Sequence, residues 1–144
     1  MGCGLCEVYC IVAHSESKDI IKAFKEESPR PLARIRVERV KPTSFGLQCR
    51  FCDEPLCVAA CLTGSMHFDE NCRPTHDPEM CVGCGTCILF CPFGAIQSDD
   101  ERGHVVAKCD LCAETGEPAC VANCPNRALV LVEIDDEADV EEGI

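Results

Sequence analysis

Apolar residues recur along this chain in short patterns separated by turn residues, and none is long enough for a large element. Within S-E-S-K-D-I-I-K-A-F-K-E-E-S (15–28), Ile20, Ile21 and Phe24 fall at helical spacing, with Ser15 or Ser17 placed to cap the start and Pro29 just beyond the end. The pattern predicts an amphipathic helix whose apolar stripe packs into a core. From Arg34 the period changes to two. Ile35 and Val37 alternate with Arg34, Arg36 and Glu38, as in a half-buried strand, and K-P-T-S (41–44) turns the chain into a return strand through Phe45 and Leu47. A second hairpin is predicted over 65–77, turning near Asp69 to Asn71. A third runs from F-G-A-I-Q-S (93–98) through D-D-E-R-G (99–103) to H-V-V-A (104–107), and A-L-V-L-V-E-I (128–134) reads as a last strand. No stretch approaches the roughly 18 uninterrupted apolar residues of a membrane span. These elements make an α+β fold of short hairpins and helical turns.

Composition changes this picture in one respect. The 47% hydrophobic fraction counts 16 cysteines, and the chain has six Phe, one Tyr and no Trp, so an ordinary apolar core would be thin. Something else should fill the interior. This cysteine density suits a disulfide scaffold in a short secreted chain. The start M-G-C-G-L-C-E, however, has neither the cationic region nor the apolar run of a signal peptide. The expectation is therefore the reducing cytoplasm, where such spacings read as metal sites.

A net charge of −12 argues against binding a nucleic acid backbone. The charge is uneven: residues 16–50 hold nine of the 13 Lys and Arg but five of the 25 acids. A basic segment on an acidic body either steers a protein partner or is simply a solvated helix and hairpin. The end of the chain, D-D-E-A-D-V-E-E-G-I (135–144), reads as a disordered, solubilising tail.

The chemistry lies in the spacing of the cysteines. Cys81, Cys84, Cys87 and Cys91, followed by Pro92, form the run C-x2-C-x2-C-x3-C-P of bacterial ferredoxins, a highly specific signature for [4Fe-4S] clusters. Three cysteines in one tight loop reach three irons of a cubane, and the fourth cysteine belongs to a different cluster, so one run predicts a partner run. Three related motifs follow the same plan. Cys49, Cys52, Cys57 and Cys61 have a loop two residues longer; Cys109, Cys112, Cys120 and Cys124, before Pro125, carry a long insertion; Cys3, Cys6 and Cys10 match only the last three positions of the run. Either Met1 is an internal residue of a longer C-M-G-C-G-L-C sequence, or this site has only three local thiolates. In the second case it holds an incomplete cluster, takes a ligand from a partner, or stays empty.

Nesting the motifs, second with third and first with fourth, gives the expected ligand sets. Cys49, Cys52, Cys57 and Cys91 hold one cluster; Cys81, Cys84, Cys87 and Cys61 a second; Cys109, Cys112, Cys120 and Cys10 a third. Cys3, Cys6 and Cys124 form a fourth site that is one thiolate short. The alternative is zinc, since C-x2-C pairs also build structural zinc sites, but it leaves the third close cysteine and the C-P without a purpose. Cys72 lies outside the motifs. With His67 and His76 it could form a small metal site or supply the missing ligand, while the plain reading is a free thiol on a hairpin. His14 and His104 have no partner pattern. Phosphate-loop, nucleotide and nucleophile–base signatures are absent. Fully thiolate-bound clusters leave no iron open to substrate, so electron transfer rather than catalysis is the expected role.

The four motifs, with C-P-F-G-A-I and K-C-D-L-C, resemble the polyferredoxin-like electron-transfer subunits of anaerobic redox enzymes, of the dimethyl sulfoxide reductase and formate dehydrogenase beta-subunit type. C-G-L-C-E-V-Y-C-I-V-A-H is most similar to small stand-alone members, such as those accompanying carbon monoxide dehydrogenase or tungsten aldehyde oxidoreductases. The resemblance implies two fused bacterial 2[4Fe-4S] ferredoxin-like modules. An inner module would span 45–108 and an outer one 1–44 plus 109–134, with up to four clusters. It also implies a catalytic oxidoreductase subunit and a second electron carrier as partners. A tungsten or molybdenum enzyme, with aldehyde or formate as substrate, is the alternative setting to carbon monoxide dehydrogenase.

Overall fold

The computed structural model describes residues 2–99 and 104–132. The tail 135–144, most of the 99–103 turn and the end of the expected last strand lie outside the described residues. The order of elements is α1 (Leu5–Ala13), α2 (Ile20–Lys25), β1 (Ile35–Val40), β2 (Thr43–Gln48), α3 (Leu56–Ala59), β3 (Met66–Phe68), β4 (Pro74–His76), α4 (Thr86–Phe90), β5 (Gln97–Asp99), β6 (His104–Ala107) and α5 (Ala119–Ala122). Helices and strands are thus mixed, and the strands form three antiparallel two-stranded sheets, β1–β2, β3–β4 and β5–β6. No helix among the described residues is long and apolar enough to cross a membrane.

The three predicted hairpins are present. Ile35 pairs with Gln48 and Val40 with Thr43 in the first, and Met66 with His76 and Phe68 with Pro74 in the second. The third slips register between Gln97 and Ser98. The turn of the second hairpin, 69–73, is closed by the Asp69 carboxylate, which accepts from the amides of Asn71 and Arg73 at 2.9 and 2.8 Å.

Two expectations fail. Helix α2 exists, but its start is capped by Asp19, whose carboxylate accepts from the amides of Ile21 and Lys22. Its stripe does not enter a core: Ile20 and Ile21 are 47% and 61% exposed, and Phe24 lies under Arg30, whose guanidinium stands 4.9 Å from the ring centre. The buried residue is Ala23. A six-residue helix has room to seat only one small side chain on its neighbour, and the large ones are left outside. The expected last strand is irregular over 128–132, and no strand among the described residues pairs with it. The Ala128 amide, which a sheet ladder would need, donates instead to Cys124 Sγ at 3.2 Å.

The short motif helices pack in nested pairs, α3 against α4 and α1 against α5. Between α3 and α4 lies a cluster of buried Met66, Cys87 and Ile96, surrounded by Val58, Ile88 and the cysteines 57, 61, 81 and 91. Thiols stand where an ordinary domain of this size would place large aliphatic side chains.

Candidate metal centres

Two local designs hold the cysteines, and they alternate along the chain. In the first and third motifs, a glycine in the left-handed region starts the helix directly after a cysteine. Gly4 (φ 79°) leads into α1, which carries Cys6 and Cys10; Gly85 (φ 72°) leads into α4, with Cys87 in its first turn and Cys91 at its end. In the second and fourth motifs, Pro55 and Pro118 cap α3 and α5 in extended conformation. Cys57 and Cys120 follow inside the helices, and Cys61 and Cys124 just after them. Sequence reasoning missed the roles of these two prolines. The signal was legible as the repeat E-P-L-C-V-A-A-C at 54–61 and E-P-A-C-V-A-N-C at 117–124.

Helix α1 is pinned to the first hairpin. The Glu7 carboxylate accepts from the Val37 amide at 2.9 Å, and Arg39 Nε donates to the Gly2 carbonyl at 2.7 Å. This places the first motif beside the first hairpin, with Cys6 near enough to α5 for its charge to reach Cys120.

The cysteines gather around three cavities. Cys49, Cys52, Cys57 and Cys91 line one, together with Pro55, Pro74 and Ile96. Cys61, Cys81, Cys84 and Cys87 line the second, with Met66 and Thr86. Cys10, Cys109, Cys112 and Cys120 line the third, of about 280 Å³, whose wall also includes His14, Arg34, Phe51 and Cys49. Cys49 therefore borders two cavities. Cys3 is exposed, and Cys6 is half-buried and near enough to Cys3 and Cys120 to feel their charge. Cys72 stays apart on the 69–73 loop, exposed and with φ 55°.

The last cysteine of every motif accepts a backbone N–H at its sulfur. Arg34 donates to Cys10 at 3.2 Å, Met66 to Cys61 at 3.3 Å, Ala95 to Cys91 at 3.4 Å and Ala128 to Cys124 at 3.2 Å. Three of these donors lie four or five residues on, whereas Cys10 takes its donor from beyond α2. Such bonds favour the ionised sulfur. At Cys61 and Cys124 they contribute to holding the thiol below its usual range. At Cys61 they do so against the opposing effect of burial; Cys84 is lowered chiefly by Thr86. Burial acts in the other direction on the cavity walls. It pushes Cys109 up to about 12 and Cys87 and Cys120 up to about 11. Thiols so buried do not ionise at neutral pH alone. A foursome of cysteines around one cavity suits a cationic iron core, which deprotonates its ligands on binding.

Beside the third cavity, the Asp110 carboxylate accepts from His14 Nε2 at 3.1 Å and from the Cys112 amide at 3.0 Å, and pairs with the Arg34 guanidinium. His14 Nδ1 in turn lies 2.7 Å from the Cys10 carbonyl. The group ties the end of α1, the approach to β1 and the fourth motif together. Although His14, Asp110 and Cys112 approach closely enough to share a metal ion, the carboxylate is already held by two cationic side chains.

A mixed α/β chain that gathers thiols in fours around small cavities, with amides aimed at the sulfurs, is a thiolate metal-site protein. More particularly, it belongs to the 4Fe-4S dicluster domain family, whose model matches residues 40–134, and its cofactors are [4Fe-4S] clusters. It is 38% identical to an "Iron-sulfur protein" of Rhodospirillum rubrum, over 94% of this chain and 78% of that protein. To the "Electron transport protein HydN" of Escherichia coli (strain K12) it is 32% identical, over 92% of this chain and 82% of that one. The "Probable anaerobic dimethyl sulfoxide reductase chain YnfG" of the same organism is 40% identical over 64% of this chain and 46% of its own length.

Proposed function

We propose that this chain is a one-electron relay of two nested ferredoxin-like modules, accepting electrons from one redox protein and passing them to another. The observation that carries the reading is the grouping of Cys49/52/57/91, Cys61/81/84/87 and Cys10/109/112/120 around three cavities, two of which share Cys49 in their walls. When bound there, [4Fe-4S] clusters supply reversible one-electron storage at closely spaced points. The chain's own part is to hold the thiolates, keep water from the buried sulfurs and set the local charge. Cys3, Cys6 and Cys124 form the fourth site. The pairing of α3 with α4 and α1 with α5 supports an inner module over 45–108 and an outer one from 1–44 and 109–134.

The partners in this reading are a catalytic oxidoreductase subunit and a second carrier, in the cytoplasm. Carbon monoxide dehydrogenase or a similar enzyme is the catalytic partner, and a tungsten or molybdenum aldehyde or formate oxidoreductase is the alternative. The relatives named as an iron–sulfur protein, an electron transport protein and a reductase chain support an accessory rather than a catalytic role. Exposed Cys84, with exposed Val82 on the same cavity wall, supplies one point of electron exit.

Anaerobic purification with iron and acid-labile sulfide analysis tests the proposal. About 16 irons per chain are expected for four cubanes and about 12 for three. Zinc without iron would end the electron-transfer reading in favour of a zinc-stabilised interaction module. Co-purification from the native host identifies the catalytic partner.

A further inference from the structure

Lys108 is the one lysine or arginine among the described residues that is buried, with 4% of its surface exposed. Its ammonium donates to the carbonyls of Pro74 and Cys109 and stands 4.9 Å from the centre of the Phe51 ring. Among the described residues no carboxylate pairs with it; Asp69, which feels its charge, is bonded to Arg73. Two carbonyls and an aromatic face are the surroundings that solvate a cation without neutralising it.

The position is as informative as the environment. Pro74 belongs to the wall of the Cys49/52/57/91 cavity, while Phe51 and Cys109 belong to the wall of the Cys10/109/112/120 cavity. The ammonium therefore stands between the two, on the path from one module to the other. Its field also reaches Cys57, where it opposes the effect of burial on the thiol.

We propose that Lys108 is a fixed positive charge shared by these two cluster sites, positioned to stabilise the negative charge that arrives with each electron and so to raise both reduction potentials. The inference rests on the iron–sulfur reading above. One electron adds one negative charge to either site, and no proton need accompany it. In a poorly polarisable interior a full positive charge at short range favours the reduced form. Uptake at the junction of the modules becomes easier than it would be beside an apolar side chain. Lys108 is a positioning residue here and touches no reacting atom.

The test uses the full chain, prepared anaerobically, with dithionite titrations followed by electron paramagnetic resonance of the reduced clusters. Lys108→Met and Lys108→Gln remove the charge, and Lys108→Arg keeps it. The expected result is wild-type iron and sulfide in all three, with two clusters shifted to lower potential in the neutral variants and near-wild-type values in K108R. Unchanged potentials in fully loaded K108M, or an equal shift of every cluster, would overturn the proposal. It would also fall if both neutral variants lost iron while K108R kept it, since the lysine would then be building the site rather than tuning it. Iron and sulfide missing from the wild type would instead defeat the underlying iron–sulfur reading.

Discussion

Replacing Asp110 by alanine removes the carboxylate on which His14, Arg34 and the Cys112 amide converge. Taking one partner from a buried ion network costs about 3–5 kcal/mol. Asp110 is 33% exposed, and screening by water lowers that figure to about 2–3 kcal/mol. His14 offers a second route to the magnitude. Burial works against the charged ring, but hydrogen bonds to Asp110 and Cys10 outweigh it and push the group up from 6.5 to about 9. At about 1.4 kcal/mol per unit this is about 3 kcal/mol. The folded value lies above the unfolded one, so the stabilisation is complete below pH 6.5 and is lost as the pH rises through about 9. Asp110 is itself desolvated, yet His14 and Arg34 hold it below the usual carboxylate range, so its contribution is lost only in strong acid. Thermal unfolding of the anaerobic, iron-loaded protein, followed by circular dichroism and loss of visible colour at a fixed heating rate, reads the effect. At neutral pH, Asp110→Ala should unfold roughly 5–15 °C below wild type, and above pH 9 the gap should narrow by the His14 part while the Arg34 and Cys112 amide bonds keep it open. An absent gap at neutral pH, or one that persists unchanged into alkali, would refute the reasoning.

Three further outcomes are expected. Cys57→Ser should lower the iron content by about four atoms per chain while Cys72→Ser leaves it at the wild-type value, measured by metal analysis after anaerobic purification. On α2, Ile21→Lys should change stability by no more than about 0.5 kcal/mol because the side chain is 61% exposed. Ala23→Leu, at a position with 0% exposure, should cost about 1–3 kcal/mol by overpacking; both are read from unfolding midpoints. Gly85→Ala places a side chain at a left-handed backbone position and should cost about 1–2 kcal/mol, and Gly85→Asn should recover part of it.

The hairpins were legible because period-two alternation and turn residues are local properties, as at Ile35 to Leu47. The cysteine motifs were legible because metal ligation fixes spacing more tightly than packing does. Helix α1 was hidden in the first motif, since Cys6 and Cys10 read as ligands and not as positions on an apolar helix face. The direction of the α2 stripe was not legible for a different reason: periodicity shows that a face is apolar but not whether anything covers it. The run A-L-V-L-V had strand composition, but composition supplies no partner edge, and the Ala128 amide is already held by a sulfur. Lys108 carried no local signal at all, because its environment comes from Pro74 and Phe51, far away along the chain.

Cys10 and the trio Cys109, Cys112 and Cys120 lie far apart along the sequence, yet all four border one cavity. The foursomes drawn from 49–91 lie wholly within the stretch between them. A group bound by the third foursome would therefore act as a cross-link from α1 to the fourth motif, closing a loop that encloses the second and third motifs.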